Sequence, residues 1–159
     1  MNDNQLKINE DLLGYQTLRL KGLIEEMLKC CDDRKLYESQ KFGIPYAELK
    51  CLMLFGGERY LTVKGIAQKL DVAKSRVTKI VSGLIEKNLA RSICDPNDSR
   101  VKLINLTPAG QEKSEKITSF QKEIHRKILL QMAPDERKHV LSILELLRTS
   151  MEAVKEQLI

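Results

Sequence analysis

Leu61-Thr-Val-Lys-Gly-Ile-Ala-Gln-Lys-Leu70, then Asp71-Val-Ala73, then Lys74-Ser-Arg-Val-Thr-Lys-Ile-Val-Ser-Gly-Leu-Ile-Glu-Lys87, is the stretch that decides the fold. The Thr62 hydroxyl can accept from the orphan amides of a first helical turn, which predicts a helix over 63–70. Its apolar Val63, Ile66, Ala67 and Leu70 fall on one face. Residues 71–73 form a corner, and a second helix is predicted over 74–87 with Val77, Ile80, Val81, Leu84 and Ile85 inward. Asn88 suits the left-handed conformation that often ends a helix. Residues 89–94 and 101–106 then read as two strands hinged on Asp95-Pro96-Asn97-Asp98, a hairpin.

Two helices at a corner followed by a hairpin make a winged helix-turn-helix, and this segment also holds the surplus charge. Between Lys64 and Lys102 nine basic residues (Lys64, Lys69, Lys74, Arg76, Lys79, Lys87, Arg91, Arg100, Lys102) face four acids (Asp71, Glu86, Asp95, Asp98). That surplus equals the formal net charge of all 159 residues, +5, so the rest of the chain sums to zero and the basic footprint is local. Duplex DNA is the partner this implies. In such a motif the first residues of the second helix meet base edges in the major groove, which nominates Lys74, Ser75, Arg76, Thr78 and Lys79. Arg76 can donate twice to guanine O6 and N7, a contact worth roughly 1 to 3 kcal/mol of discrimination. Lys74 and Lys79 suit phosphates, where a mobile point charge suffices. Ser75 and Thr78 fit either role, or are plain surface hydroxyls. Arg91 and Lys102, on the wing strands, are expected at phosphates unless they only lay their stems over the sheet. Ala73 cannot cap, so the second helix is expected either to begin at Asp71 or to rely on a DNA phosphate for its first amides.

Working outward, the remainder reads as helical. Leu13, Leu20, Ile24, Met27 and Cys31 recur at helical spacing over about 10–36, and Gly43 and Pro45 interrupt that run. Pro45 is expected in the first turn of a helix ending near Phe55, with Gly56-Gly57 closing it, and Tyr60 and Leu61 allow only a short strand. Thr107-Pro108 opens a helix to about 131, and Pro134-Asp135-Glu136 opens the last one. There Val140, Leu144, Leu147, Met151, Val154 and Leu158 recur in steps of three and four, a seam that needs a partner helix.

Composition bounds the class: 42% apolar and 31% charged residues exclude a disordered chain. No apolar run approaches membrane-spanning length, and residues 1–11 are polar and acidic, so a cytoplasmic protein is expected. Cys30, Cys31, Cys51 and Cys94 lack Cys-x-x-Cys spacing and default to free, buried thiols, with Cys30 and Cys31 as candidate oxidant sensors. His125 and His139 are the only imidazoles, too few for a metal centre, so neither metal nor cofactor is expected. No phosphate loop, nucleophile-base pair or metal triad suggests an enzyme.

The run 61–70, Lys74-Ser-Arg-Val-Thr-Lys79, Leu84-Ile-Glu-Lys-Asn88, and above all Asp98-Ser-Arg100 leading to Leu106-Thr-Pro-Ala-Gly110 resemble the MarR (multiple antibiotic resistance regulator) family of bacterial transcription factors. The resemblance is strong over about a third of the chain; the flanking helices agree in number and length only. It implies a mainly α fold with a small β-hairpin wing. A winged helix-turn-helix lobe at 45–110 (helix-turn-helix about 62–87, wing about 89–107) would be flanked by dimerisation helices at 1–44 and 111–159. It further implies a homodimer reading a pseudo-palindromic operator, commonly a repressor released by a small, often phenolic, ligand or by cysteine oxidation. The dimer interface would include Leu13 and Leu20 besides the terminal seam. Arg100 matches the family arginine at the hairpin tip that enters or borders the minor groove. Asp98 would hold that arginine or a nearby amide, or else satisfy its own turn. A winged helix used only for protein contacts is the rival reading, and a thiol-based redox sensor another.

Overall fold

A computed structural model describes the backbone of residues 3–158 and the side chains of residues 9–158; Met1, Asn2 and Ile159, the outermost positions of the expected end segments, lie outside the described residues. Among the described residues the order is α1 (Asp3–Phe42), α2 (Tyr46–Met53), β1 (Leu61–Thr62), α3 (Val63–Leu70), α4 (Lys74–Glu86), β2 (Ala90–Cys94), β3 (Lys102–Leu106), α5 (Pro108–Leu130) and α6 (Pro134–Gln157). The chain divides into two compact units, residues 1–114 and 115–159, with the division inside α5.

The first unit is built around Leu49, Leu52, Ile66, Val77, Leu84 and Ile104, all fully buried. Four helix ends there have a local cause. Thr62 caps α3 as expected, its Oγ1 accepting from the Gly65 amide at 3.0 Å. Three ends then share one device, in which a left-handed residue lets the next amide reach back five residues to a carbonyl. Gly43 does this after α1, with Ile44 N donating to Ser39 O at 3.2 Å. Asp71 does it after α3, with Val72 N donating to Ala67 O at 3.1 Å. Asn88 does it after α4, with Leu89 N donating to Leu84 O at 2.8 Å.

Several expectations need correction. The first helix outruns its apolar repeat and stops only at Gly43, because good helix formers (Glu38, Gln40, Lys41) carry it on. Pro45 caps α2 from just outside its first turn, with the extended backbone (φ −54°, ψ 143°) of a preceding cap residue. Asp71 is not the start of α4: its left-handed backbone ends α3, and α4 begins at Lys74 behind Ala73. Ile85 does not point inward. It is 41% exposed, one residue round the helix from the buried Leu84, beyond the edge of the apolar stripe.

The wing is a three-stranded antiparallel sheet in the order β1-β3-β2, so the hairpin gains the two residues that lead into α3. Leu61 pairs with Ile104, and both are buried. Thr107 joins this sheet to α5: its Oγ1 donates to Asn88 O at 2.7 Å and accepts from Gly110 N at 3.0 Å. Gly110 lies so close to the Leu89 carbonyl that any Cβ there would collide with it. The Thr-Pro-Ala-Gly run is thus a structural joint.

The second unit holds the end of α5 and all of α6. Glu136 reaches back to accept from the Ala133 amide at 2.7 Å, starting α6 without a side-chain cap from Ala133 itself. Arg137 Nε donates to Leu129 O at 2.8 Å and Met132 O at 3.0 Å, tying down the turn between the helices. No residue of α6 is buried.

Candidate nucleic-acid interface

The buried face of α4, carried by Val77, Ile80, Val81 and Leu84, fixes what its other face presents. Lys74, Ser75, Arg76, Thr78 and Lys79 are all exposed, four of them in its first five residues. No side chain satisfies the first-turn amides, since Ala73 offers none. The two hydroxyls differ. Thr78 Oγ1 donates to Lys74 O at 3.1 Å, which spends its proton inside the helix and leaves it an acceptor. A phosphate oxygen, itself an acceptor, would have to break that bond. Ser75 makes no such bond among the described residues and is the better donor.

At the wing tip Asp98 does both things expected of it. Its Oδ1 accepts from the Arg100 amide at 3.0 Å and from Arg100 Nε at 3.1 Å. The guanidinium side chain nonetheless stays 90% exposed, so it is aimed by the carboxylate and still open to solvent. Asp95 holds the other side of the turn, accepting from Asn97 N at 2.8 Å. Arg91 pairs with Asn105 and Lys102 with Cys94. Directly paired residues share a face and neighbours along a strand alternate, which places Arg91 and Lys102 on opposite faces of the wing. Both are exposed, but one flat phosphate track cannot take both.

The nine cations of this stretch therefore sort into two groups. Lys69 pairs with Glu58 at 3.6 Å, Lys87 with Glu48 at 3.0 Å and Arg100 with Asp98. Lys64, Lys74, Arg76, Lys79, Arg91 and Lys102 are exposed, with no acidic partner among the described residues. Lys64 borders the groove at the helix-turn-helix corner together with Gln68, Asp71 and Lys74. The sequence put Lys64 in the charge count but not at the surface it helps form; its four-residue offset from the polar Gln68, one turn along the same face of α3, was the available signal.

No protein-family profile matches the chain. A curated relative, the HTH-type transcriptional repressor MdtR of Bacillus subtilis (strain 168), is 26% identical over 152 residues, 96% of each chain. Among solved structures, Streptococcus pneumoniae FabT in complex with DNA matches with TM-score 0.71 at 22% identity, over 82% of this chain and 96% of that one. A mutant of MarR from E. coli matches with TM-score 0.65 at 22% identity, over 81% of this chain and 93% of that one. The fold is that of the MarR regulators.

The remaining candidate groups of this chain are spread out. Cys30 and Cys94 are exposed and Cys31 is half-buried, which overturns the expectation of buried thiols for those three. Cys51 alone is buried, and burial pushes its thiol from an ordinary 9.0 up to about 12, Glu48 adding to the shift. Among the described residues no group of three His, Cys, Asp or Glu could hold a metal ion, and no helix is long and apolar enough to cross a membrane. Leu13, Leu20, Leu144, Met151, Val154 and Leu158 are all exposed, and Val140 and Leu147 are half-buried.

Proposed function

We propose that this protein is a sequence-specific DNA-binding transcriptional regulator, a cytoplasmic homodimeric repressor released by a small-molecule ligand. The observation that carries the reading is the row of unpaired cations at the start of α4 beside a carboxylate-aimed arginine on the wing. Arg76 reads a base, Lys74 and Lys79 take phosphates, one of Arg91 and Lys102 takes a phosphate while the other, on the opposite face of the wing, does not, and Arg100 borders the minor groove, whose negative potential attracts arginine. Ser75 donates to the backbone or a base, and Thr78 accepts. The name of the repressor MdtR and the DNA bound to FabT support the same reading. Leu13, Leu20 and the α6 seam form the dimer interface, because that much exposed apolar surface on long helices requires a cover. The flanking segments 1–44 and 111–159 supply it, and residues 45–110 form the DNA-binding lobe.

The test is selection of duplexes from a random-sequence pool by the purified protein. Enrichment of a pseudo-palindrome with half-sites one helical turn apart is the expected outcome. A pool that stays random after repeated rounds contradicts the reading and favours a winged helix used for protein contacts. A second release mechanism, oxidation, is favoured by the exposure of Cys30 and Cys94; peroxide that leaves operator affinity unchanged rules it out.

A further inference from the structure

Lys87 belongs to the basic stretch, yet its ammonium is taken up by contacts within the protein. Nζ lies 3.0 Å from Glu48 Oε1 and 3.3 Å from Gly83 O, so one lysine at the end of α4 grips both a carboxylate on α2 and its own helix backbone. Glu48 is 7% exposed. Glycine at residue 83 leaves it room beside α4: a Cβ there would collide with Oε1 and force the carboxylate to shift. The other carboxylate oxygen, Oε2, is buried without a partner.

We infer that Glu48, Gly83 and Lys87 form a clamp that fixes the tilt of the recognition helix α4 on α2, making Glu48 and Lys87 positioning residues for base readout. The inference rests on the DNA-binding reading above. Cohesion alone does not call for this arrangement, since an apolar pair of similar shape would hold two helices without stranding a carboxylate oxygen. A charged contact over bare backbone instead admits one geometry. The opposite end of α4 has no side-chain cap, so the clamp restrains the helix at the end away from its readers. Arg76 is seven residues from Gly83, about 10 Å along the axis, so a tilt of about 10° there moves Arg76 by about 2 Å. That exceeds the tolerance of a bidentate hydrogen bond.

The experiment compares wild type, E48Q, K87M and the double variant on an operator selected by the wild type and on a random-sequence duplex. Each single variant is expected to lose about tenfold in operator affinity, the worth of one misplaced bidentate contact, with random-duplex affinity and salt slope unchanged. The double variant should be no worse than either single, since both break one contact. If Lys87 instead holds a phosphate, K87M alone weakens both duplexes and its salt slope falls by about 0.9, which overturns the clamp. Equal losses on both duplexes with a lowered melting temperature overturn it too. A readout without DNA is the distance between spin labels at Lys50 and Ser75, in protein whose Cys30, Cys31 and Cys94 are first changed to serine. E48Q should shift or broaden that distance, and an unchanged distribution refutes the clamp. A wild type that selects no duplex refutes the functional reading while leaving the distance test in force.

Discussion

In the proposed reading a guanidinium and an ammonium on the same helix, Arg76 and Lys79, have different work to do. Both are exposed on α4, with no acidic partner among the described residues. The guanidinium fork matches a guanine edge, whereas the ammonium is a point charge indifferent to sequence. Arg76→Ala should therefore relax sequence preference, costing roughly 1 to 3 kcal/mol on the selected operator and little on random duplex. Lys79→Ala should weaken both alike and lower the salt slope by about 0.9. Equal profiles for the two variants would refute the division. The exposure of these positions on α4 was legible in the sequence, because the apolar spacing of Val77, Ile80, Val81 and Leu84 leaves them on the other face. The internal use of Lys87 and of the Thr78 proton was not, since each depends on a neighbour's orientation that no spacing reveals. Cysteine burial was equally illegible. The buried Cys51 thiol, pushed up to about 12, should resist a thiol reagent at pH 8 while Cys30 and Cys94 react. Keeping that thiol neutral stabilises the fold fully below pH 9.0, and the contribution is lost as pH rises from there toward about 12, because the unfolded chain ionises first. Rapid labelling of Cys51 in the native state would contradict this.

Helices and strands were legible where a side chain announces its job. Thr62 and Asn88 declare a start and a stop, and the structure uses both. Asp71 gave a weaker signal, because aspartate caps starts and tolerates left-handed turns alike, and here it ends α3. The addition of β1 to the wing escaped the sequence reading because two residues carry too little alternation to reveal a pairing. Thr107 is the joint between wing and α5, buried and holding two hydrogen bonds. Thr107→Ala should cost about 1 to 2 kcal/mol in denaturant unfolding, the loss of a helix cap. A change within error would show the joint to be held by packing alone.

At the scale of the molecule the proposal depends on pairing. The α6 seam has no buried residue, and Leu144, Met151 and Val154 lie open along it. A dimer would cover that face and set the two recognition helices about 34 Å apart, one turn of DNA. Leu147→Asp should shift the sedimenting species toward monomer and reduce operator affinity with it; a wild-type monomer would remove the basis for a palindromic site. The most direct test of the central claim, that cations on α4 and the wing grip a phosphate backbone, is binding to the DNA upstream of the protein's own gene over a range of salt concentrations. With several phosphate contacts per protomer, the logarithm of affinity should fall linearly with the logarithm of salt, steeply enough to lose about a thousandfold between 50 and 200 mM. A flat dependence, or no binding at the lowest salt, would contradict it.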